Sequence, residues 1–371
     1  MSSKPQSDTA IEVETLRADG IVKMFLLQNE PIFGRLCELR EKVSLLSEYI
    51  VLIVNNQRSQ GWANPEGDTF FKQQRSRADN TNRGGALIFF NMMRSIGDEL
   101  QAKTNAIVQS SESGEEIKIL DLCMAPGGYT DCALKYNPTA TACGITLPPA
   151  KGGHELLLLS SRSKVSYLDI TMLVGEMGVR LDEVPPTHPD YARFLTERPY
   201  IEETFHLVFC DGQVLRCHQR AEYREPNEAL RLTVSQLVLA LQRIRPGGTL
   251  VILLHKLEAW DTAQLIYQFR QFSSVALFKP EKKHAIRSSF YLVARNVQPE
   301  NASAKEAVEG WKRAWRNATF GGQNGTGQEK VMPDAAHVRA LLSDFGKDLI
   351  QLGQPIWETQ ANALSKADFV K

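Results

Sequence analysis

Asp121 is the first residue of this sequence whose type and position suggest chemistry. It lies near the end of the short apolar run 117–122, which predicts a buried strand. A small-residue loop with Ala125, Pro126, Gly127 and Gly128 follows, and a helical pattern begins at Tyr129. Glycine lacks a Cβ atom, so such a loop lets a ligand approach the backbone closely. A carboxylate at the carboxyl end of a first strand lies in the crevice where open α/β sheets bind ligands.

This order of strand, acid, glycine loop and helix is typical of the loop that holds S-adenosylmethionine (SAM) in Rossmann-like methyltransferases. The methionine part of SAM would lie over the glycines, near the helix start at Tyr129. The alternative is a tight turn between strand and helix, which a glycine pair alone would also indicate.

Two further polar residues end the next two predicted strands. Thr146 stands where nucleotide-binding folds often place an acid for the ribose hydroxyls, so its hydroxyl or backbone would bind the ribose instead. Asp169 follows the third strand and could accept a hydrogen bond from an adenine amine. It could equally cap a following helix, and both alternatives stay open.

Asp211 and Lys256 follow the fourth and fifth predicted strands and are the catalytic candidates. An acid at the place of Asp211 faces both the methyl group of the cofactor and the incoming nucleophile, although Asp-Gly is also a common turn. A lysine at the end of a buried strand is costly unless it is paired. We therefore expect Lys256 to pair with Asp211, the alternative being a solvated lysine.

The pattern of elements predicts an α/β fold with a mostly parallel, seven-stranded, Rossmann-like sheet covered on both faces. Strands are predicted at 117–122, 141–146, 164–168, 205–210, 248–254, 274–278 and 290–295. Helical spacing recurs at 10–54, 86–106, 229–243, 261–272, 302–319 and 334–366. We therefore divide the chain into a helical N-terminal extension and loop (1–83), a sheet domain (84–298) and a helical C-terminal extension (299–371).

Composition restricts the class of protein. Six cysteines without a C-x-x-C pair predict reduced thiols rather than disulfides or a metal site. The lack of a long apolar run and of a secretory signal predicts an intracellular protein of the cytoplasm or nucleus, without membrane contact. The net charge is zero, so any contact with RNA must depend on a local basic patch.

Five motifs together resemble one family. They are LDLCMAPGGYTD, ACGITLP, LVFCDG, RPGGTLVILLHK and LFKPEKKHAIRSSFYLVA. The stretch 84–296 is similar to the FtsJ-like (RrmJ-type) methyltransferases, and its Gly-Ile-Thr-Leu and Leu-Phe-Lys-Pro elements favour the mRNA cap 2′-O-methyltransferase branch. The resemblance implies SAM as cofactor, methylation of a ribose 2′-hydroxyl on RNA, and a Lys-Asp-Lys-Glu tetrad that activates the hydroxyl.

The tetrad implied by the resemblance is incomplete in this chain. Asp211 falls on its aspartate and Lys256 on its second lysine. Ser289 occupies the glutamate position and Leu87 that of the first lysine, with Lys72 and Arg83 as the nearest substitutes. Loss of one preorganised charge contact costs on the order of 3 kcal/mol of transition-state stabilisation. A degenerate SAM-binding module and a methyltransferase with a non-RNA substrate therefore stay open.

Basic residues before the last strand form the clearest candidate RNA contact: Lys279, Lys282, Lys283, His284 and Arg287. Such side chains would position phosphates, and a solvated loop partly offset by Glu281 is the alternative. Further candidates for this patch are Arg216, Arg220 and Arg224, while Trp62, Phe70 and Phe71 would stack a base or anchor a loop.

Overall fold

A computed structural model describes residues 17–42, 83–109, 114–215, 217–218, 220–328 and 330–367 of the chain. Several predictions from the sequence lie outside these residues. They are the loop over most of 55–85, the outer parts of the helical stretch 10–54, Lys72, the side chain of Arg83, Trp62, Phe70, Phe71 and Arg216.

A seven-stranded sheet forms the centre of the described chain, in the order β3-β2-β1-β4-β5-β7-β6. Strand β7 pairs antiparallel with both β5 and β6, and the other neighbours are parallel. The predicted α/β fold class is therefore confirmed. The strands are β1 (Lys118–Leu122), β2 (Thr141–Thr146), β3 (Ser163–Tyr167), β4 (Phe205–Cys210), β5 (Ile244–His255), β6 (Ser274–Phe278) and β7 (Ser289–Val297).

Strand β5 differs most from its prediction. It begins at Ile244 and ends at His255, whereas the apolar run predicted 248–254. The Pro-Gly-Gly segment inside it is an irregularity where the register shifts, and Gly247 has a left-handed φ of 81°. One more residue at the carboxyl end changes which side chains belong to the strand.

Helices cover both faces of the sheet. They are α1 (Ala18–Asn29), α2 (Pro31–Lys42), α3 (Arg83–Thr104), α4 (Gly128–Tyr136), α5 (Glu228–Arg243), α6 (Trp260–Arg270), α7 (Ala302–Phe320) and α8 (Ala335–Leu364). Helices α3 and α4 pack on one face, and the others share a second core with the opposite face. Successive strand residues alternate between these cores, as Ile119 and Leu120 do.

The described terminal helices are joined to the sheet by polar contacts as well as by this core. Asp19 in α1 accepts a hydrogen bond from the first backbone N–H of α6, with an N–O distance of 2.7 Å. Trp311 and Trp315 on α7 are both buried, as their spacing on one helix face predicted. The three-part division of the chain stays a prediction.

Two searches of the described residues gave no result. None of the helices among them is both long and apolar enough to cross a membrane. Nor do those residues bring together three metal-ligating side chains.

Gly128 sets the distance between α3 and α4. A Cβ atom there would lie 2.4 Å from the carbonyl oxygen of Phe90 and 2.6 Å from Cβ of Met93. We therefore expect Gly128→Ala to lower the free energy of unfolding by about 1–3 kcal/mol, the usual cost of overpacking. Urea denaturation followed by circular dichroism measures this change.

Gly34→Ala in α2 is the matched control, because a Cβ atom there meets nothing within 4 Å. Alanine is the better helix former by about 0.8–1.0 kcal/mol, so this variant should be slightly stabilised. Equal unfolding midpoints for the two variants would contradict the packing described here.

Candidate active site

A cleft of about 1150 Å³ opens at the edge of the sheet where β1, β2, β4 and β5 have their carboxyl ends. Five of the residues predicted to bind the cofactor line it: Ala125, Tyr129, Thr146, Asp169 and Asp211. The other four, Asp121, Pro126, Gly127 and Gly128, are buried behind this wall.

The loop between β1 and α4 is tied to the end of β2. The backbone N–H groups of Cys123 and Met124 donate to the carbonyl oxygen of Ile145, at 2.8 and 3.0 Å. The N–H of Ala125 lies 3.3 Å from the hydroxyl oxygen of Thr146, to which it donates. The Thr146 side chain is therefore engaged in holding the loop.

The two loop glycines are required by protein packing. Gly127 has a left-handed φ of 101°. A Cβ atom at Gly127 would lie 2.8 Å from Cβ of Leu158, as close as the contacts that Gly128 makes with α3. Direct contact of these glycines with a ligand stays a prediction.

Asp121 is 1% exposed and accepts a hydrogen bond from the hydroxyl of Thr130, with an oxygen–oxygen distance of 2.6 Å. Burial raises the pKa of this carboxyl to about 7, although the hydrogen bond from Thr130 works in the opposite direction. Asp121 therefore supports the loop from below and titrates near neutral pH.

Asp211 lies on the cleft wall with one unsatisfied oxygen. Among the described residues, Oδ1 of Asp211 has no hydrogen-bond partner. Burial and the charge of Asp121 raise the pKa of Asp211 well above its ordinary value. An unsatisfied buried oxygen is costly, so a donor or cation from a ligand would stabilise it.

Two tyrosines stand beside Asp211 in the cleft wall. The hydroxyls of Tyr129 and Tyr291 form a hydrogen bond with each other. Burial and the charge of Asp211 raise the pKa of both phenols, which therefore stay protonated. Sequence reasoning missed Tyr291, whose place on the inner face of the last strand could have identified it.

Asp169 caps a short 3₁₀ turn, Ile170–Met172, by accepting from the backbone N–H of Thr171 at 3.1 Å. Its other oxygen lies 3.4 Å from Nε2 of His218 and 3.5 Å from Nη2 of Arg224. Burial would raise the pKa of Asp169, but these donors outweigh burial and hold it below its ordinary value. The capping alternative is thus confirmed, and an adenine contact stays a prediction.

Arg224 does not belong to a surface patch, so that prediction was wrong. It is 0% exposed, and its Nε donates to Glu228 at 3.0 Å while its Nη2 donates to the Thr171 hydroxyl at 2.8 Å. A guanidinium can be buried in this way because its planar donors match a carboxylate. Arg220 is likewise engaged, with Glu225 at 2.8 Å.

Lys256 lies outside the cleft wall in the described part of the chain, where no ion pair joins it to Asp211. It follows the last residue of β5, has a left-handed φ of 48°, and its side chain is exposed. The expected pairing with Asp211 is therefore not present. A catalytic role for Lys256 stays a prediction that the geometry does not support.

His255 occupies the cleft end of β5 instead. Leu253 and His255 both line the cleft, since alternate residues of a strand share a face. Their partners across the antiparallel pair with β7 are Tyr291 and Ser289, respectively. Sequence reasoning missed His255 because it ended the strand one residue too early.

The basic stretch before β7 forms a loop at the cleft, which we call the rim loop (residues 280–288). Lys282, Lys283, His284 and Arg287 all line the cleft. Lys279 is different, because it is 7% exposed and its Nζ donates to the carbonyl oxygens of Arg287 and Ser289 at 2.6 and 2.8 Å. Burial lowers the pKa of Lys279 to about 7. The prediction of Lys279 as a surface RNA contact is therefore wrong.

The terminal helices hold the rim loop from behind. The side-chain amide of Gln360 in α8 donates to the carbonyl oxygen of Ile286 at 3.1 Å. Its oxygen accepts from Arg40 in α2 at 2.8 Å, and Arg40 also pairs with Glu258 at 2.6 Å. Both flanking extensions therefore contribute to the shape of the cleft.

Leu87 is 53% exposed on α3 and is absent from the cleft wall among the described residues. Ser289 is buried opposite His255 and lines the cleft. The positions at which the resemblance places the first lysine and the glutamate therefore carry no charge.

Comparison with known proteins identifies relatives of this chain. The family model described as FtsJ-like methyltransferase matches residues 98–297, which is more than half of the chain. The resemblance inferred from the motifs is thereby confirmed. A cap-specific mRNA (nucleoside-2′-O-)-methyltransferase of Autographa californica nuclear polyhedrosis virus is 23% identical over 187 residues. That match covers 48% of this chain and 63% of the viral protein, so the chain spans less than two thirds of its relative.

Solved structures show weaker likenesses. Human methyltransferase-like protein 13, in complex with SAH, has 14% identity and a TM-score of 0.34, covering 68% of this chain and 99% of that one. An rRNA methylase from Streptococcus thermophilus has 13% identity and a TM-score of 0.28, covering 49% and 88%. Likenesses at these scores carry no argument about function.

The raised pKa of Asp121 makes stability depend on pH. Its folded-state value of about 7 lies above the ordinary 3.8, so between these values the folded chain holds the proton more strongly. Stability therefore falls as the pH rises from about 4 to about 7. We expect Asp121→Asn, which cannot ionise, to be more stable than wild type at about pH 8, by up to about 4 kcal/mol.

Urea denaturation across this pH range measures the difference, which should vanish below about pH 4. Asp131→Asn is the control, because this residue lies on the same helix but near the surface. A constant difference between Asp121→Asn and wild type at every pH would exclude the titration.

Proposed function

Because the chain belongs to the FtsJ-like methyltransferase family, we propose that it binds SAM in the cleft and methylates a ribose 2′-hydroxyl of RNA. SAM, when bound, supplies a methyl group carried on a positively charged sulfur. The residues of the cleft would bind this cofactor, orient the hydroxyl and exclude water. The proposal extends the family membership to a particular cofactor and substrate.

The unsatisfied oxygen of Asp211 is the observation that carries the proposal. Asp211 and the nearby Asp121 make this end of the cleft acidic, and both carboxyls resist ionisation while no cation is near. A cationic ligand would favour the ionised form of each carboxyl. The cleft therefore suits a ligand that combines a positive charge with polar donors.

The remaining wall residues suit the other parts of such a ligand. Thr146 and Asp169 end β2 and follow β3, where nucleoside ribose and base commonly bind in this type of sheet. Ala125 and Tyr129 lie between them and Asp211 in the wall. We assign Asp211 both to the cofactor and to orientation of the acceptor hydroxyl.

The rim loop supports RNA as the substrate class. Lys282 and Lys283 are exposed and Arg287 is half-buried, all on the same loop of the cleft. Cations so placed would bind phosphates and fix the register of a strand without reading its sequence. The printed activity of the viral relative, a cap-specific nucleoside 2′-O-methyltransferase, favours the same class.

A second function, SAM binding without methyl transfer, is favoured by the uncharged Leu87 and Ser289. The exposed position of Lys256 adds to this, because an ammonium near the hydroxyl would stabilise the developing negative charge. Transfer and binding must therefore be measured separately.

Methyl transfer tests the proposed function directly. Purified protein is incubated with methyl-labelled SAM and either total cellular RNA or a capped transcript, and the RNA is digested to nucleosides. We expect labelled 2′-O-methylnucleosides with wild type and at least about a hundredfold less with Asp211→Ala, because a preorganised contact to the reacting groups is lost.

Asp182→Ala is the matched control, since this acid is exposed on a surface turn and pairs with Arg180. Calorimetry with SAM is run on the same samples. Binding of SAM by wild type without label in either RNA would contradict the proposal and favour the binding module.

The rim loop predicts a salt-dependent affinity for RNA. Each lost phosphate contact should reduce the slope of log affinity against log salt by about 0.7 for single strands. We therefore expect Lys282→Ala combined with Lys283→Ala to weaken binding of a labelled RNA oligonucleotide about equally for all sequences. Fluorescence anisotropy at several salt concentrations measures both quantities.

Lys305→Ala serves as the control, because Lys305 is exposed on α7 and pairs with Glu300. If the double variant and this control give the same affinity and the same salt slope, the rim loop does not bind phosphate.

A further inference from the structure

We propose that His255 is the general base of the reaction and takes the proton of the acceptor hydroxyl. This inference depends on the proposed function, and it assigns to a histidine a role that the sequence motifs assigned to Lys256. It also gives a function to the polar residue at the cleft end of β5.

The register of β5 and β7 places His255 among the reacting residues. His255 stands directly opposite Ser289, and Leu253 stands opposite Tyr291. Opposed residues of an antiparallel pair have Cβ atoms about 4.5–5.5 Å apart, so these four side chains form one patch of the wall. Asp211 and Tyr129 line the same cleft.

A hydrogen bond orients the imidazole. Nε2 of His255 lies 3.1 Å from the side-chain oxygen of Gln213, two residues after Asp211. An amide oxygen only accepts, so Nε2 carries the ring proton and Nδ1 has a free lone pair. Gln213 therefore fixes the tautomer that a base requires.

Cations around His255 keep the free imidazole neutral. Burial in the cleft lowers its pKa to about 4, and the charges of Arg287, Lys279 and Lys256 act in the same direction. His284, on the rim loop, also faces this group and has a lowered pKa. The ring is therefore unprotonated at neutral pH and able to accept a proton.

RNA binding would strengthen this base. Phosphates placed on the rim loop offset the charges of Arg287 and the neighbouring lysines, which removes part of the force that lowers the pKa of His255. A base is most effective when its pKa approaches the working pH. Proton acceptance is thus coupled to the presence of the substrate.

The transfer balances with these groups. The ribose oxygen forms a bond to the methyl carbon, and the sulfur retains the electron pair of the broken sulfur–carbon bond. The hydroxyl proton passes to Nδ1 of His255. The resulting imidazolium then returns the proton to solvent, and Asp211 orients the hydroxyl throughout.

Paired variants at adjacent positions test the inference. Initial rates of label transfer to total RNA and to a capped transcript are compared for wild type, His255→Gln and Lys256→Ala. We expect His255→Gln to lower kcat by about a hundredfold or more, the usual contribution of a general base, with an unchanged Kd for SAM. Lys256→Ala should keep the wild-type kcat, because this side chain lies outside the cleft wall among the described residues.

Nuclear magnetic resonance supplies a readout independent of activity. The labelled histidine signal that disappears in His255→Gln should titrate well below pH 6 in the free protein, and its pKa should rise when an RNA oligonucleotide is added. A purely structural histidine would show no such response to RNA.

Several results would overturn the inference. They are a His255→Gln variant with the wild-type kcat, a Lys256→Ala variant that loses transfer, or a His255 pKa that does not respond to RNA. If wild type transfers no methyl group to either RNA, the proposed function fails together with the inference. Transfer that persists in His255→Gln would overturn the inference alone.

Discussion

Two carboxyl groups buried at one edge of the sheet are the constraint on which the candidate site depends. Parallel strands β1 and β4 deliver Asp121 and Asp211 to neighbouring positions, and neither forms an ion pair among the described residues. Burial raises the pKa of both, and the charge of Asp121 adds to the effect at Asp211. The protein thus holds a potential negative charge that only a ligand with donors or a positive charge relieves.

The opposite wall of the cleft has the opposite sign. His255, the rim loop and the buried Lys279 concentrate positive groups near β5 and β7. The rim loop keeps its shape because Lys279 donates to its carbonyl oxygens and Gln360 reaches it from α8. The flanking helices, which the sequence motifs left without a role, therefore support the substrate side of the site.

Much of this fold could be predicted from hydrophobic periodicity, because strands and helices with one buried face have distinct spacings. All seven strands appear within a few residues of their predicted places, and Asp211 stands at the cleft as expected. Lys256 and His255 show where prediction failed, since adding one residue to a strand exchanges the side chain on the cleft face. Lys279 and Arg224 could not be recognised as buried, because their partners come from distant segments of the chain.

A crystal structure with S-adenosylhomocysteine bound would test the central claim most directly. The account predicts that the nucleoside lies in the cleft in contact with Thr146 and Asp169, with its sulfur beside Asp211. Binding elsewhere on the molecule, or a cleft that stays closed to the ligand at saturating concentration, would contradict it.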